Sequence, residues 1–130
     1  MAVVKADGYG HGAETVARAA LQGGATSLGV ATLQEGLELR RAGLEAPVLL
    51  LSNLNEPDDL RTCLHWRLMP TLSSLRDAQL CNALAADSGR SFDVQLKIDT
   101  GMARLGCSLS EGHQTAAALQ SLEHLNLEGI

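Results

Sequence analysis

Short apolar runs alternate with amphipathic stretches along the whole of this chain. Their centres recur at about 20 to 30 residues, the period of a strand–helix unit. Six runs predict strands, at residues 2–4, 28–31, 47–51, 67–71, 92–98 and 125–130. The fourth is the weakest, because Pro70 leaves only Leu68-Met69 unbroken. Between the strands, Val16, Ala17, Ala20 and Leu21 share one face of a helix that Gly23-Gly24 ends. Thr32 and Glu35 have the spacing of a capping box, heading a helix to Gly43. Asn55 is the expected cap of the next helix, with Pro57 in its first turn and Asp58 and Asp59 at its positive end. Ser73 or Ser74 starts a helix to about Ala86, and Ser108 with Glu111 repeats the capping box before a helix to about Leu122.

Parallel strands joined by helices close into a (β/α)8 barrel or open into a doubly wound sheet. Neither G-x-G-x-x-G nor G-x-x-x-x-G-K-[ST] supports the nucleotide-binding forms of the open sheet. A complete barrel takes roughly 250 residues. The 130 present allow a partial barrel of about six βα units. It is expected to be incomplete at both ends, since the first strand begins at Met1 and the sixth stops at Ile130 with no helix after it.

Hydrophobic residues make up 45% and charged residues 19%, the balance of a globular chain. One Phe, one Trp and one Tyr leave the core to aliphatic side chains and alanine. A net charge of −5 without a basic cluster argues against a nucleic-acid surface. Cys63, Cys81 and Cys107 are odd in number and widely spaced, so they read as reduced, buried thiols of a cytoplasmic protein, with neither disulfide framework nor metal site. No apolar stretch approaches the roughly 18 residues of a membrane span. Lys5 and Asp7 interrupt what a signal peptide would need.

In a barrel, functional residues stand at the C-terminal ends of strands. Lys5 ends the first strand and opens the turn Ala6-Asp7-Gly8-Tyr9-Gly10-His11-Gly12. Lysine is the side chain that forms Schiff bases with carbonyl compounds, although most lysines at strand ends are simply solvated. The fifth strand ends in Lys97-Ile98-Asp99-Thr100-Gly101-Met102-Ala103-Arg104-Leu105-Gly106. Charges here interrupt an apolar strand, either as a solvated or salt-bridged strand end or as groups in use. His11 reads as a structural hydrogen-bonding residue. His65, His113 and His124 fall on expected helices and read as surface or satisfied groups, and Met102 reads as packing.

Taken together, the segments 2–12 and 97–106 resemble the bacterial alanine racemases. The first closely matches the family's signature around the lysine that binds pyridoxal phosphate (PLP). The second is similar to its strand-and-loop segment, and the two occur in the family's order. The likeness runs through Gly29-Val30-Ala31 and Glu35-Gly36 and covers this chain, but only the first half of the enzyme.

The resemblance implies roles residue by residue. Lys5 matches the lysine that forms the Schiff base with PLP and serves as one of two acid/base groups. Tyr9 matches the tyrosine that holds the PLP phosphate. Arg104 matches the arginine that hydrogen-bonds the ring phenolic oxygen and lies beside the substrate carboxylate. Lys97 matches a lysine often found as a carbamate that orients that arginine. The implied activity interconverts L- and D-alanine, supplying D-alanine for peptidoglycan, in a homodimer. The second base is a tyrosine of a C-terminal β-domain contributed by the partner subunit, and Tyr9 is the only tyrosine here. These 130 residues alone are therefore expected to be inactive. The alternatives are another PLP-barrel protein, either a PLP-homeostasis protein or an amino-acid decarboxylase, and an inert truncated fragment.

Overall fold

The computed structural model describes residues 1–130. Its strands are β1 (Ala2–Val3), β2 (Leu28–Val30), β3 (Val48–Leu50), β4 (Leu68–Leu72), β5 (Phe92–Leu96) and β6 (Leu125–Gly129). Each neighbouring pair is parallel, and the strands stand in the sheet in chain order. That order decides between the two architectures. A doubly wound sheet reverses direction at a switch point, whereas a barrel adds every strand on the same side of the last. No reversal occurs, so the fold is a partial (β/α)8 barrel whose edges are β1 and β6.

Six helical segments connect the strands: α1 (Lys5–Gly10), α2 (Ala13–Gln22), α3 (Leu33–Arg41), α4 (Pro57–Trp66), α5 (Leu75–Ser88) and α6 (Leu109–Gln120). The core lies between α2–α6 and the outer face of the sheet. Val4, Leu28, Val30, Val48, Leu50, Leu68, Leu72, Val94 and Leu96 project from the strands into it, against Ala17, Leu39, Leu60, Ala78, Ala85 and Leu119 from the helices. Burying a side chain of this size contributes about 1.5–3 kcal/mol relative to leaving it exposed. This aliphatic layer therefore dominates the fold. Cys63, Cys81 and Cys107 are buried and free, as expected.

Several local expectations change. β4 runs straight through Pro70, because pairing with β5 begins only at Thr71 and the missing N–H interrupts no rung there. Glu56, not Asn55, precedes α4 as its N-cap, in the extended conformation that a following proline imposes, and no side chain caps that end. Ser74 caps α5 by accepting from Asp77 N at 3.2 Å, and the helix extends to Ser88. The Thr32–Glu35 capping box is complete. Ser108 and Glu111 make only half of theirs: Ser108 Oγ accepts from Glu111 N at 3.3 Å, but also donates to the Glu111 carboxylate at 2.5 Å, which draws that group off the backbone. His124 lies in the turn before β6 rather than on α6, and Met102 is 70% exposed and outside the hydrophobic core.

Candidate functional site

Lys5 leaves the end of β1 half-buried and begins α1, which winds the wrong way for a helix of L-residues. Ala6 (φ 51°, ψ 51°), Asp7 (52°, 49°), Gly8 (62°, 37°) and Tyr9 (56°, 38°) form one left-handed turn. Left-handed backbone costs about 1–2 kcal/mol for each of the three residues that carry a Cβ. Gly8 avoids that cost, and a Cβ there would stand 3.0 Å from Val16 Cγ2. Strain of this kind persists only where the surroundings over-determine it, and such places cluster at functional sites.

The turn is held from several directions. Gly8 N donates to Val4 O and Gly12 N to Asp7 O, each at 2.9 Å. The Asp7 carboxylate accepts from Ala13 N at 2.7 Å, at the head of α2. His11 Nδ1 lies 3.2 Å from Gly8 O and 3.1 Å from Tyr9 O, so it must carry the proton and donate, which is a structural role. Glu35, from the next βα unit, accepts from Ala6 N at 2.8 Å. Tyr9 is 59% exposed, and its hydroxyl has no partner within the chain.

The second loop begins at Lys97, on the inner face of the sheet. Cys107 N donates to Lys97 O at 2.9 Å and Asp99 N to Cys107 O at 2.8 Å, which closes residues 99–106 into a compact loop. Gly106 makes that closure possible: a Cβ there would meet Asp99 N at 2.7 Å and Ile98 C at 2.9 Å. The Asp99 carboxylate gathers Gly101 N at 2.9 Å and Ala103 N at 3.0 Å. The backbone N–H groups of Ala103 and Gly101 hold its carboxyl below the usual carboxylate value. Arg104 follows this clasp directly, exposed and without an acidic partner. Ser73 Oγ accepts from Gly106 N and donates to Asn53 Oδ1, both at 3.0 Å, tying together the loops after β3, β4 and β5.

Lys97 lines a cavity of about 440 Å3 on the inner face, with Leu49, Leu51, Thr71, Gln95 and Thr100. A second cavity, of about 300 Å3, lies at the other end of the sheet around Arg40 and Arg67, away from both strand-end motifs. Lys5 and Lys97 are four strand positions apart, about 19 Å around the sheet at roughly 4.8 Å per strand. No hydrogen bond or ion pair joins Lys5, Tyr9, Lys97 and Arg104 to one another. They share one rim without a polar bond between them.

At this rim the carboxylates of Glu35, Asp7 and Asp99 are taken up by backbone amides, whereas the two amines, the phenol and the guanidinium are free. Lys5 and Lys97 are also the chain's only lysines, every other basic side chain being Arg or His. The sequence pattern pointed to these four residues but not to Ser73, Asn53 or the reach of Glu35. Those bonds join residues 20 to 33 positions apart, and no local pattern encodes them.

Comparison with known proteins agrees along the whole chain. Residues 1–130 match the family model described as "Alanine racemase, N-terminal domain". An alanine racemase of Prochlorococcus marinus is 60% identical over 130 residues, which is 100% of this chain and 34% of that protein. Among solved structures, an alanine racemase of Clostridium difficile 630 in complex with cycloserine has a TM-score of 0.92 at 36% identity, covering 98% of this chain and 35% of that one. A histidine racemase from Leuconostoc mesenteroides has a TM-score of 0.85 at 28% identity, covering 96% and 34%. The chain spans about a third of the length of the curated relatives it matches.

Proposed function

Because the chain belongs to the alanine racemase N-terminal domain family, we propose that it forms the part of a PLP-dependent racemase that holds the cofactor and supplies one of two acid/base groups for L- and D-alanine. The observation that carries this reading is Lys5, set at the end of β1 and leading directly into a strained left-handed turn, with the unpartnered Tyr9 hydroxyl four residues on. The chemistry of the free groups suits the cofactor. An amine meets an aldehyde, while a phenol and a guanidinium meet phosphate or phenolate oxygens. PLP would supply the sink for the electron pair left when the substrate loses its α-proton.

The rest is work for this chain's residues. Lys5 Nζ takes the α-proton on one face, and in the reverse direction returns it. Tyr9 Oη would donate to a phosphate oxygen of the cofactor. Arg104, exposed and without a salt bridge, would donate to the ring phenolic oxygen and serve the substrate carboxylate. Lys97 Nζ, when neutral, adds to carbon dioxide and releases a proton. The resulting carbamate replaces a cation with an anion that accepts from Arg104.

A single base would tend to return the proton to the face it left, so inversion needs a second one opposite. No other tyrosine lies within these 130 residues. In this reading residues 1–130 are the first part of the barrel domain. A C-terminal β-domain of the partner subunit in a homodimer brings the opposing tyrosine. No helix is long and apolar enough to cross a membrane, and with three free, buried thiols the reading is cytoplasmic. The likeness to a histidine racemase supports a second reading, in which the same lysine end serves a bulkier amino acid.

Racemisation assays separate these readings. Grafted in place of the matching third of the 60% identical relative, the segment should support conversion of L-alanine to D-alanine, and Lys5→Ala should abolish it. The isolated 130 residues should show none. Turnover by the isolated chain above free PLP and above its own Lys5→Ala control would sink the two-base account, and preference of the graft for histidine would favour the second reading.

A further inference from the structure

The capping box explains only part of what Glu35 does. Its Oε2 accepts from Thr32 N at 3.1 Å, the capping contact, but from Ala31 N at the closer 2.6 Å. Its Oε1 turns away from α3 and accepts from Ala6 N at 2.8 Å. Ala6 directly follows Lys5 and lies 29 positions from Glu35, in a different βα unit. No other hydrogen bond ties Lys5–Gly10 to another βα unit. The left-handed turn is thus fastened to the end of β2 and the head of α3 through one carboxylate.

We propose that Glu35 is a positioning residue for Lys5: by holding the Ala6 amide it keeps the left-handed turn wound and fixes the direction in which the lysine leaves β1. The inference rests on the reading of Lys5 as the cofactor lysine, and gives that reading a mechanical support. The chemistry demands a carboxylate. Three N–H donors converge on two oxygens, and both must accept. A glutamine can complete a capping box, but it has one acceptor oxygen and would turn an NH2 group towards an N–H. Glu35→Gln therefore spares the cap and breaks the latch. Thr32→Ala does the reverse, removing the hydroxyl that accepts from Glu35 N while leaving the bond to Ala6.

The test makes both substitutions in the grafted complete enzyme and reads three quantities. Without cofactor, amide exchange over residues 5–10 should speed up about tenfold or more in Glu35→Gln and stay within about twofold in Thr32→Ala, as expected for loss of one charge-assisted bond. With PLP at limiting concentration, the yield of borohydride-reduced adduct on Lys5 should fall about tenfold in Glu35→Gln and little in Thr32→Ala. In turnover, the loss should fall on kcat more than on KM.

Unchanged exchange in Glu35→Gln overturns the proposal. So does a loss of adduct that follows the melting temperature equally in both variants, since that is what capping alone predicts. If the unsubstituted protein captures no PLP while exchange still responds to Glu35→Gln, the latch stands and the cofactor reading of Lys5 falls.

Discussion

At the C-terminal end of the sheet carboxylates gather backbone N–H groups, whereas at the N-terminal end one guanidinium gathers backbone carbonyls. Glu35, Asp7 and Asp99 between them accept from six amides: Ala6, Ala31, Thr32, Ala13, Gly101 and Ala103. At the other end Arg40 donates to Leu44 O at 2.6 Å, Ala46 O and Arg67 O at 2.8 Å, and Trp66 O at 2.9 Å. The cause is the polarity of the βα unit. Strands run towards helix N-termini, where Ala13 and Thr32 offer unpaired N–H groups and the loops leading in add Ala6, Ala31, Gly101 and Ala103. Helices run back into strands through C-termini, which leave C=O groups unpaired. The difference has a functional consequence. Pinning the C-terminal loops engages the acids with backbone amides and leaves Lys5, Lys97 and Arg104 without a salt bridge, Lys97 acting on Asp99 only through its charge, whereas the N-terminal end spends its central cation on the backbone.

The comparison predicts that variants at one end cost binding and at the other only stability. The largest effect is expected at the C-terminal loop: Gly106→Ala forces a Cβ to within 2.7 Å of Asp99 N at φ 111°. It should destabilise the grafted enzyme by about 3 kcal/mol or more, read from urea unfolding, and loosen the loop that carries Arg104. Next comes Arg40→Met, which keeps the apolar stem and strips donors from four carbonyls. A loss of about 2 kcal/mol is expected, with PLP capture at saturating cofactor unchanged. Weakened capture in that variant would erase the distinction between the ends.

Two pH effects sharpen the contrast. Burial pushes the Cys63 and Cys81 thiols, which lie in the core between the ends, up from 9.0 to about 12. Thiols protonated in the folded state but ionised in the unfolded one contribute stability that is complete below about pH 9. That stability is lost as pH rises towards 12, so the urea midpoint should fall across that range. A flat midpoint in the Cys63→Ala, Cys81→Ala double variant would confirm the source. The smallest effect belongs to Asp99. Its carboxyl is held below 3.8 by Ala103 and Gly101, so the stabilisation is present above that value and disappears as pH falls through the lowered one. Amide exchange over residues 100–104, corrected for intrinsic rates, should rise only in that acid range. The Arg40 clasp, charged throughout, should not respond.

Much of this architecture was legible because its signals are local. The alternation predicted the six strands, and the Thr32–Glu35 box was readable from two residues three apart. What escaped was non-local or against type. Pro70 argued against a strand until its register with β5 was known. Ala6, Asp7 and Tyr9 are ordinary L-residues whose left-handed turn is imposed from outside, and only Gly8 hinted at it. The second task of Glu35 depends on the fold bringing β1 beside β2. The strand ends that carry Lys5 and Lys97 are where the sequence put them, but their four-strand separation is a property of the sheet.

That separation poses the sharpest question about the two lysines. Borohydride reduction of the PLP-loaded, grafted enzyme followed by peptide mapping answers it directly. The account predicts close to one reduced adduct per subunit, on the peptide containing Lys5, with none on the peptide containing Lys97. Adduct on Lys97, or spread evenly over both lysines, would contradict it.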